Sequence, residues 1–320
     1  MPKKTPWIAV VAGATRGCGR GVARALGERG AVVYCTGRST AEGRSPYDRP
    51  ETIEETAELV NAAGGTGIPI RVDHGAPDEV EALFARVERE QGRLDVLADS
   101  VAGMDPMLGS WDYWGVDLSN ADRILQQALL SHVITAKHAL PLITRHRGGL
   151  IVEVTEGDTL GCGGNVLTFL AKTGLKTFAL SLAETLRSKR TTVVAVTPGF
   201  LRSEMMLEHF GVTADDWRAA GKKDPNFLHS ETPMLLGRGV AALAADPDRF
   251  ARSGQLLSSW ELARHYGVDD LDGTRPDWGA HFREIVGSIP GFKDATRREA
   301  EWLELLAARN RALLDVPTGV

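Results

Sequence analysis

Seven short runs rich in Val and Ile alternate along this chain with longer segments of helical period, an order that few folds accept. The runs lie near 7–13, 31–36, 68–73, 94–98, 149–155, 192–197 and 254–258, and the helical segments cover 18–29, 51–64, 77–91, 119–145, 165–189 and 233–245. Repetition of βα units that ends on a strand predicts an α/β fold, a doubly wound parallel sheet of about seven strands. With 320 residues, 43% of them apolar, the chain can bury one large domain or one and a half. Two stretches fall outside the repeat. Residues 199–232 carry short amphipathic pieces and are placed to cover a ligand as a small helical lid. The tail after about 260 contains "REAEWLELLAARNRALL", in which Trp302, Leu305, Leu306 and Leu313 recur at helical spacing. The expected organisation is therefore a domain over 1–260 that includes the lid, and a C-terminal helical extension over 261–320 that packs on the core or on a sister subunit.

Charge and cysteine usage remove several function classes. A net charge of -5 with scattered arginines leaves no basic face for a phosphate backbone, so nucleic acid is not an expected partner. Cys18, Cys35 and Cys162 form neither a disulfide framework nor a CxxC or CxxH pair, so no metal site is expected and the thiols read as reduced, in a cytoplasmic protein. The apolar run after the basic N-terminus is too short for a signal sequence, and no segment is expected to span a membrane.

The first strand joins its helix through "VVAGATRGCGRGVARAL". Gly13, Gly17 and Gly19 in this junction allow a pyrophosphate to approach the backbone without meeting a Cβ, and the helix start offers free N–H groups and a positive dipole end. Thr15, Arg16 and Cys18 belong to the same loop. The second strand ends in "YCTGRS", where Arg38, followed by Ser39, stands in place of the carboxylate that accepts an adenosine ribose 2'-hydroxyl. A guanidinium there, with Arg16 nearby, suits a 2'-phosphate, so NADP(H) is favoured over NAD(H). Asp73, before His74 at the end of the third strand, is placed to accept from an adenine amino group or to cap the next helix.

The glycine spacing, the Thr197-Pro198-Gly199 turn after the sixth strand and the lysine in "LTFLAKTGLKTF" together resemble the short-chain dehydrogenase/reductase family, over residues 7 to about 260. The resemblance implies a Rossmann-type fold, oxidoreductase chemistry on a nicotinamide cofactor, and a catalytic tyrosine four residues before a lysine, with a serine and an asparagine in support. Lys172 matches the lysine. The tyrosine position is Thr168, the serine position Thr155, and the asparagine position falls near Ala128, with His132 one turn on. The stretch from Asp99 through Val101 to Ala102 matches the family's cofactor-contacting loop after the fourth strand, and Pro198, Gly199 and Leu201 are assigned to the cofactor in the same way.

An aliphatic hydroxyl such as that of Thr168 cannot exchange a proton at neutral pH as a phenol near pKa 10 beside an ammonium does. Loss of a positioned general acid costs about 10² to 10⁴ in rate. Candidate substitutes are Tyr113 in "GSWDYWGVDL", His132, and Glu156 or Asp158 after the fifth strand; an apolar wall residue, a core histidine and a solvated carboxylate are the respective alternatives. Three functions follow in order: an atypical NADP(H)-dependent oxidoreductase acting on a carbonyl or alcohol of a hydrophobic small molecule, a non-redox cyclase, isomerase or lyase that keeps the nucleotide site, and a nucleotide-binding pseudoenzyme. The family's habit of pairing its fourth and fifth helices suggests a homodimer or homotetramer.

Overall fold

A computed structural model of the chain describes residues 5–44, 48–102, 115–158, 165–287, 301 and 305. Seven strands, β1 (Ile8–Ala12), β2 (Val32–Gly37), β3 (Thr66–Arg71), β4 (Val96–Asp99), β5 (Leu150–Val154), β6 (Thr192–Thr197) and β7 (Leu256–Ser258), form one sheet in the order β3-β2-β1-β4-β5-β6-β7. Every neighbouring pair is parallel. Strand order reverses between β1 and β4, so a crevice opens at the carboxyl ends of those two strands, where open α/β sheets place their ligands.

Ten α-helices are described: α1 (Gly17–Gly27), α2 (Ile53–Ala62), α3 (Pro77–Gln91), α4 (Ala121–Leu125), α5 (Ser131–Ile143), α6 (Val166–Thr185), α7 (Glu204–Phe210), α8 (Pro233–Ala245), α9 (Ser259–Tyr266) and α10 (Trp278–Val286). Alternation along the strands divides the core in two. Ala9, Val11, Val152 and Val194 face α1 and α8, whereas Ile8, Val10, Ile151 and Val193 face α3, α5 and α6. Both faces are covered, which is why the strands read as unbroken apolar runs.

The strand and helix positions follow the sequence pattern closely, with one difference. The single helix expected over 119–145 is interrupted: a π-helical turn at Gln126–Leu130 separates α4 from α5. Apolar periodicity cannot distinguish i→i+4 from i→i+5 bonding over a single turn. By length and composition alone α6 is apolar enough to cross a bilayer, a property the sequence pattern had not assigned to any segment; half of that stretch is buried within the protein.

Residues 199–232, the segment expected to act as a lid, carry α7 and two short 3₁₀ turns at Trp217–Lys222 and Pro225–His229. Phe200, Phe210, Trp217 and Phe227 pack together within it as its own small core. Beyond β7, α9 and α10 return to the same end of the sheet, where Trp278 meets Phe200 edge-on at 5.5 Å. Of the apolar stripe expected in the tail, only Leu305 lies among the described residues, and it is exposed. Tyr113 and Cys162 lie outside them.

Candidate active site

The glycine loop is shaped by close approach. Gly13 has φ +71°, and a Cβ on it would sit 2.7 Å from the Ser100 carbonyl oxygen in the loop after β4. A Cβ on Gly19 would lie 2.2 Å from the Gly13 carbonyl oxygen. Side chains are thus excluded at the places where the loop, the helix and the neighbouring strand end touch. Helix α1 begins at Gly17 without a side-chain cap of its own, in contrast to the capping box of Thr52 and Glu55 on α2. Its first N–H, from Gly17, instead donates to Glu204 Oε2 of the lid at 2.9 Å.

At the adenosine end, Arg38 and Asp73 come together, with Nη1 of the first 3.8 Å from Oδ2 of the second. Asp73 also accepts from the Gly75 N–H at 2.9 Å, while the N-cap position of α3 is Ala76. Arg16 is joined to Glu51 at 3.1 Å, and Arg49 bridges from Glu51 to Glu208 on α7. Burial would raise the Glu51 carboxyl, but Arg49 and Arg16 hold it below the usual range. Thr15 sits where a Cβ on Gly37 would fall 2.6 Å from its Oγ1. Ser39 is buried and its carbonyl accepts from the first N–H of α2. Cys18 is buried at the start of α1, and burial, with Glu231 and Glu204 nearby, pushes its thiol up to about 12 despite the opposing charge of Lys172. It is a neutral thiol.

At the catalytic end, α6 places Thr168 and Lys172 one turn apart on its buried face. The Thr155 hydroxyl, at the end of β5, donates to the Lys172 carbonyl at 3.3 Å. The Thr168 Oγ1 is buried with no partner among the described residues, and Lys172 is only 9% exposed. The Thr197 hydroxyl donates to the Pro198 carbonyl and accepts from the Gly157 N–H, each at 2.9 Å, which ties the loop after β5 to the turn after β6. Leu201, two residues beyond Gly199, lies 3.8 Å from where a Gly17 Cβ would be.

Two histidines considered from the sequence face the interior instead. His132 is fully buried, with Nδ1 2.6 Å from Glu153 Oε2 and 3.4 Å from Asp99 Oδ1, and with Nε2 2.8 Å from the Val101 carbonyl oxygen. The Val101 carbonyl can only accept, so Nε2 carries a proton, and the two buried carboxylates beside Nδ1 favour the charged ring. Burial alone would lower its pKa; Asp99 and the Glu153 hydrogen bond outweigh burial and raise it to about 9. A ring so enclosed cannot hand a proton to a substrate in the cleft, which corrects the expectation placed on it. It holds the Asp99–Val101 turn, where Asp99 also accepts from the Val101 N–H at 3.0 Å. His74, expected at the cofactor, lies between the Thr36 and Thr135 hydroxyls at 2.8 Å each and braces β2 against α5. Burial lowers its pKa and keeps it neutral. Ala128 is buried in the π turn, and Glu156 and Asp158 are exposed.

Sequence reasoning missed Glu153, Glu204, Glu208, Glu231 and Asp270. A carboxylate inside "LIVEV" was a visible signal for the first, since an ionisable group in a buried strand needs a partner. Glu231 lies against Gly199; burial pushes it up to about 8 even though Ser259 and the Gly199 backbone hydrogen-bond to it.

A doubly wound sheet with a glycine cradle at its switch point, a buried ammonium at its rim and a helical lid is a dinucleotide-binding enzyme architecture. Residues 13–256 match the family described as enoyl-(acyl carrier protein) reductase. Mouse dehydrogenase/reductase SDR family member 1 is 35% identical over 272 residues, 83% of either chain. Among solved structures, a short-chain dehydrogenase from Mycobacterium thermoresistibile has a TM-score of 0.69 at 20% identity, covering 85% of this chain and 91% of its own. A variant of actinorhodin polyketide ketoreductase, solved with NADPH, has a TM-score of 0.65 at 24% identity, over 79% of this chain and 95% of its own. The chain belongs to the short-chain dehydrogenase/reductase family, whose members are oxidoreductases that use a nicotinamide cofactor.

Proposed function

We propose that this protein is an NADP(H)-dependent oxidoreductase that interconverts a carbonyl and an alcohol on a hydrophobic small molecule, with altered proton chemistry. The observation that carries the reading is the pairing of the Cβ-free cradle of Gly13 and Gly19 with a buried Lys172 and a Thr168 hydroxyl that has no partner among the described residues. Buried polar groups left without partners are costly, so a ligand that brings hydroxyls and phosphates fits them. The coenzyme, when bound, supplies or accepts the hydride. Lys172 is the residue to hold its ribose hydroxyls, and Thr155 is positioned to orient the substrate oxygen. NADP(H) is favoured because Arg38 stands where a carboxylate would otherwise select the free 2'-hydroxyl. The apolar lid around Phe200, Met206 and Leu207 suits a hydrophobic substrate.

Proton delivery sets the rate. Thr168 has no phenol, so the proton comes from another donor, either Tyr113, Glu156 or Asp158 or water, and a poorly positioned donor costs about 10² to 10⁴ in turnover. The test is consumption of NADPH by the full chain across ketones and aldehydes of increasing apolar size. Turnover with at least one of them, lost in Lys172→Met, is expected. NADPH that binds and is never consumed would transfer the reading to a non-redox enzyme, which the absence of any tyrosine from α6 already favours as the second choice. Exposed Leu130, Val133, Phe169 and Leu170 on α5, α6 and the π turn between α4 and α5 suit pairing with a second copy as a homodimer or homotetramer.

A further inference from the structure

Helix α7 turns two carboxylates, one helical turn apart, onto the glycine loop and onto the arginine cluster beside it. Glu204 accepts from the Gly17 N–H at 2.9 Å and lies 3.6 Å from Arg20. Glu208 pairs with Arg49, which with Arg16 shares Glu51. The start of α1 carries no acidic residue in its own first turn and no side-chain cap, so the lid supplies its anion. A carboxylate on that N–H occupies the position a pyrophosphate oxygen needs.

We infer that Glu204, with Glu208 one turn on, is a latch that competes with coenzyme phosphates for the cradle, so that the lid must release α1 before a dinucleotide binds. The inference rests on the coenzyme reading above. Only the unlatched fraction is competent, so the apparent dissociation constant exceeds the intrinsic one by the reciprocal of that fraction. Both carboxylates are partly solvated, with 26% and 70% of their side chains exposed. Salt weakens such contacts.

The test measures NADPH affinity by calorimetry for the full chain and for Glu204→Gln, Glu208→Gln and the double variant, at low and high salt, beside hydrogen exchange of residues 201–210 without coenzyme. At low salt Glu204→Gln is expected to bind about two- to thirty-fold more tightly, a range set by the worth of one charge at a helix start, with the gap narrowing as salt rises. Exchange in α7 should rise in the coenzyme-free variant. Equal or weaker NADPH binding by Glu204→Gln, with wild type binding measurably, would overturn the latch. A wild type that binds neither NADPH nor NADH would overturn the coenzyme reading instead, and unchanged α7 exchange in the variant would then overturn the latch separately.

Discussion

His132 stands between two buried carboxylates, and the arrangement holds only while the ring is charged. Removing one partner of a buried charge cluster costs about 3–5 kcal/mol, so His132→Gln is expected to lower the urea midpoint by a corresponding amount at pH 7. The pH dependence has a definite sign. The folded pKa, raised to about 9 from 6.5, gives a stabilisation present in full below pH 6.5 and lost as pH rises through 9. Glu153, raised from 4.5 by burial, moves stability in the same direction. Wild-type unfolding free energy should therefore fall between pH 6.5 and 9 by more than that of His132→Gln, which urea titrations at stepped pH would record. At the reacting end, Thr168→Tyr should raise carbonyl reduction at least ten-fold if proton transfer limits turnover. An unchanged rate, read from NADPH absorbance, would move the limiting step elsewhere. Residue type and spacing made the glycines and Arg38 stand out in the sequence, and the family resemblance marked Lys172. Residue type misdirected His132, because a histidine's pKa suits catalysis wherever it sits, and only the strand register that sets Asp99 beside Glu153 reveals what encloses it.

Helix α1 depends on absent side chains. Gly19→Ala would place a methyl 2.2 Å from the Gly13 carbonyl oxygen, and backbone cannot yield as a flexible side chain does. Overpacking costs about 1–3 kcal/mol and more where main chain is met, so the variant should melt several degrees lower and lose NADPH affinity even where it folds. Gly17→Ala meets open space apart from Leu201, but φ +53° charges it roughly 1 kcal/mol of strain. A milder loss is expected, and calorimetric melts of the two variants would rank them. Elements such as β1, α3 and α8 were readable because buried apolar period and end signals agree: Pro77 at the start of α3 and Thr232 with Pro233 at the start of α8. The target of α7 was not readable. Its carboxylates look like an ordinary solvated helix face until the turn after β6 brings them over the glycine loop.

Across the molecule, the chain beyond β7 holds the lid's root. Asp270, 2% exposed, accepts from Arg202 Nη2 at 3.1 Å and from the Thr232 N–H at 2.8 Å. Asp270→Ala leaves a buried guanidinium with the looser Asp272 at 3.4 Å and the face of the Trp217 ring; a loss of about 3–5 kcal/mol and a Tm lower by roughly 5–15 °C are expected, visible in a thermal scan. Helices α1 and α8 meet through glycines: a Cβ on Gly21 would strike the Pro233 carbonyl oxygen at 2.1 Å, and one on Gly237 the Gly21 carbonyl oxygen at 2.3 Å. Two rods pressed together main chain to main chain cannot slide or roll on one another. Any swing of the 199–232 segment, which joins β6 to α8, must therefore pivot at its own two roots, so this segment could be exchanged for a longer or shorter one while the cradle beside it keeps its shape.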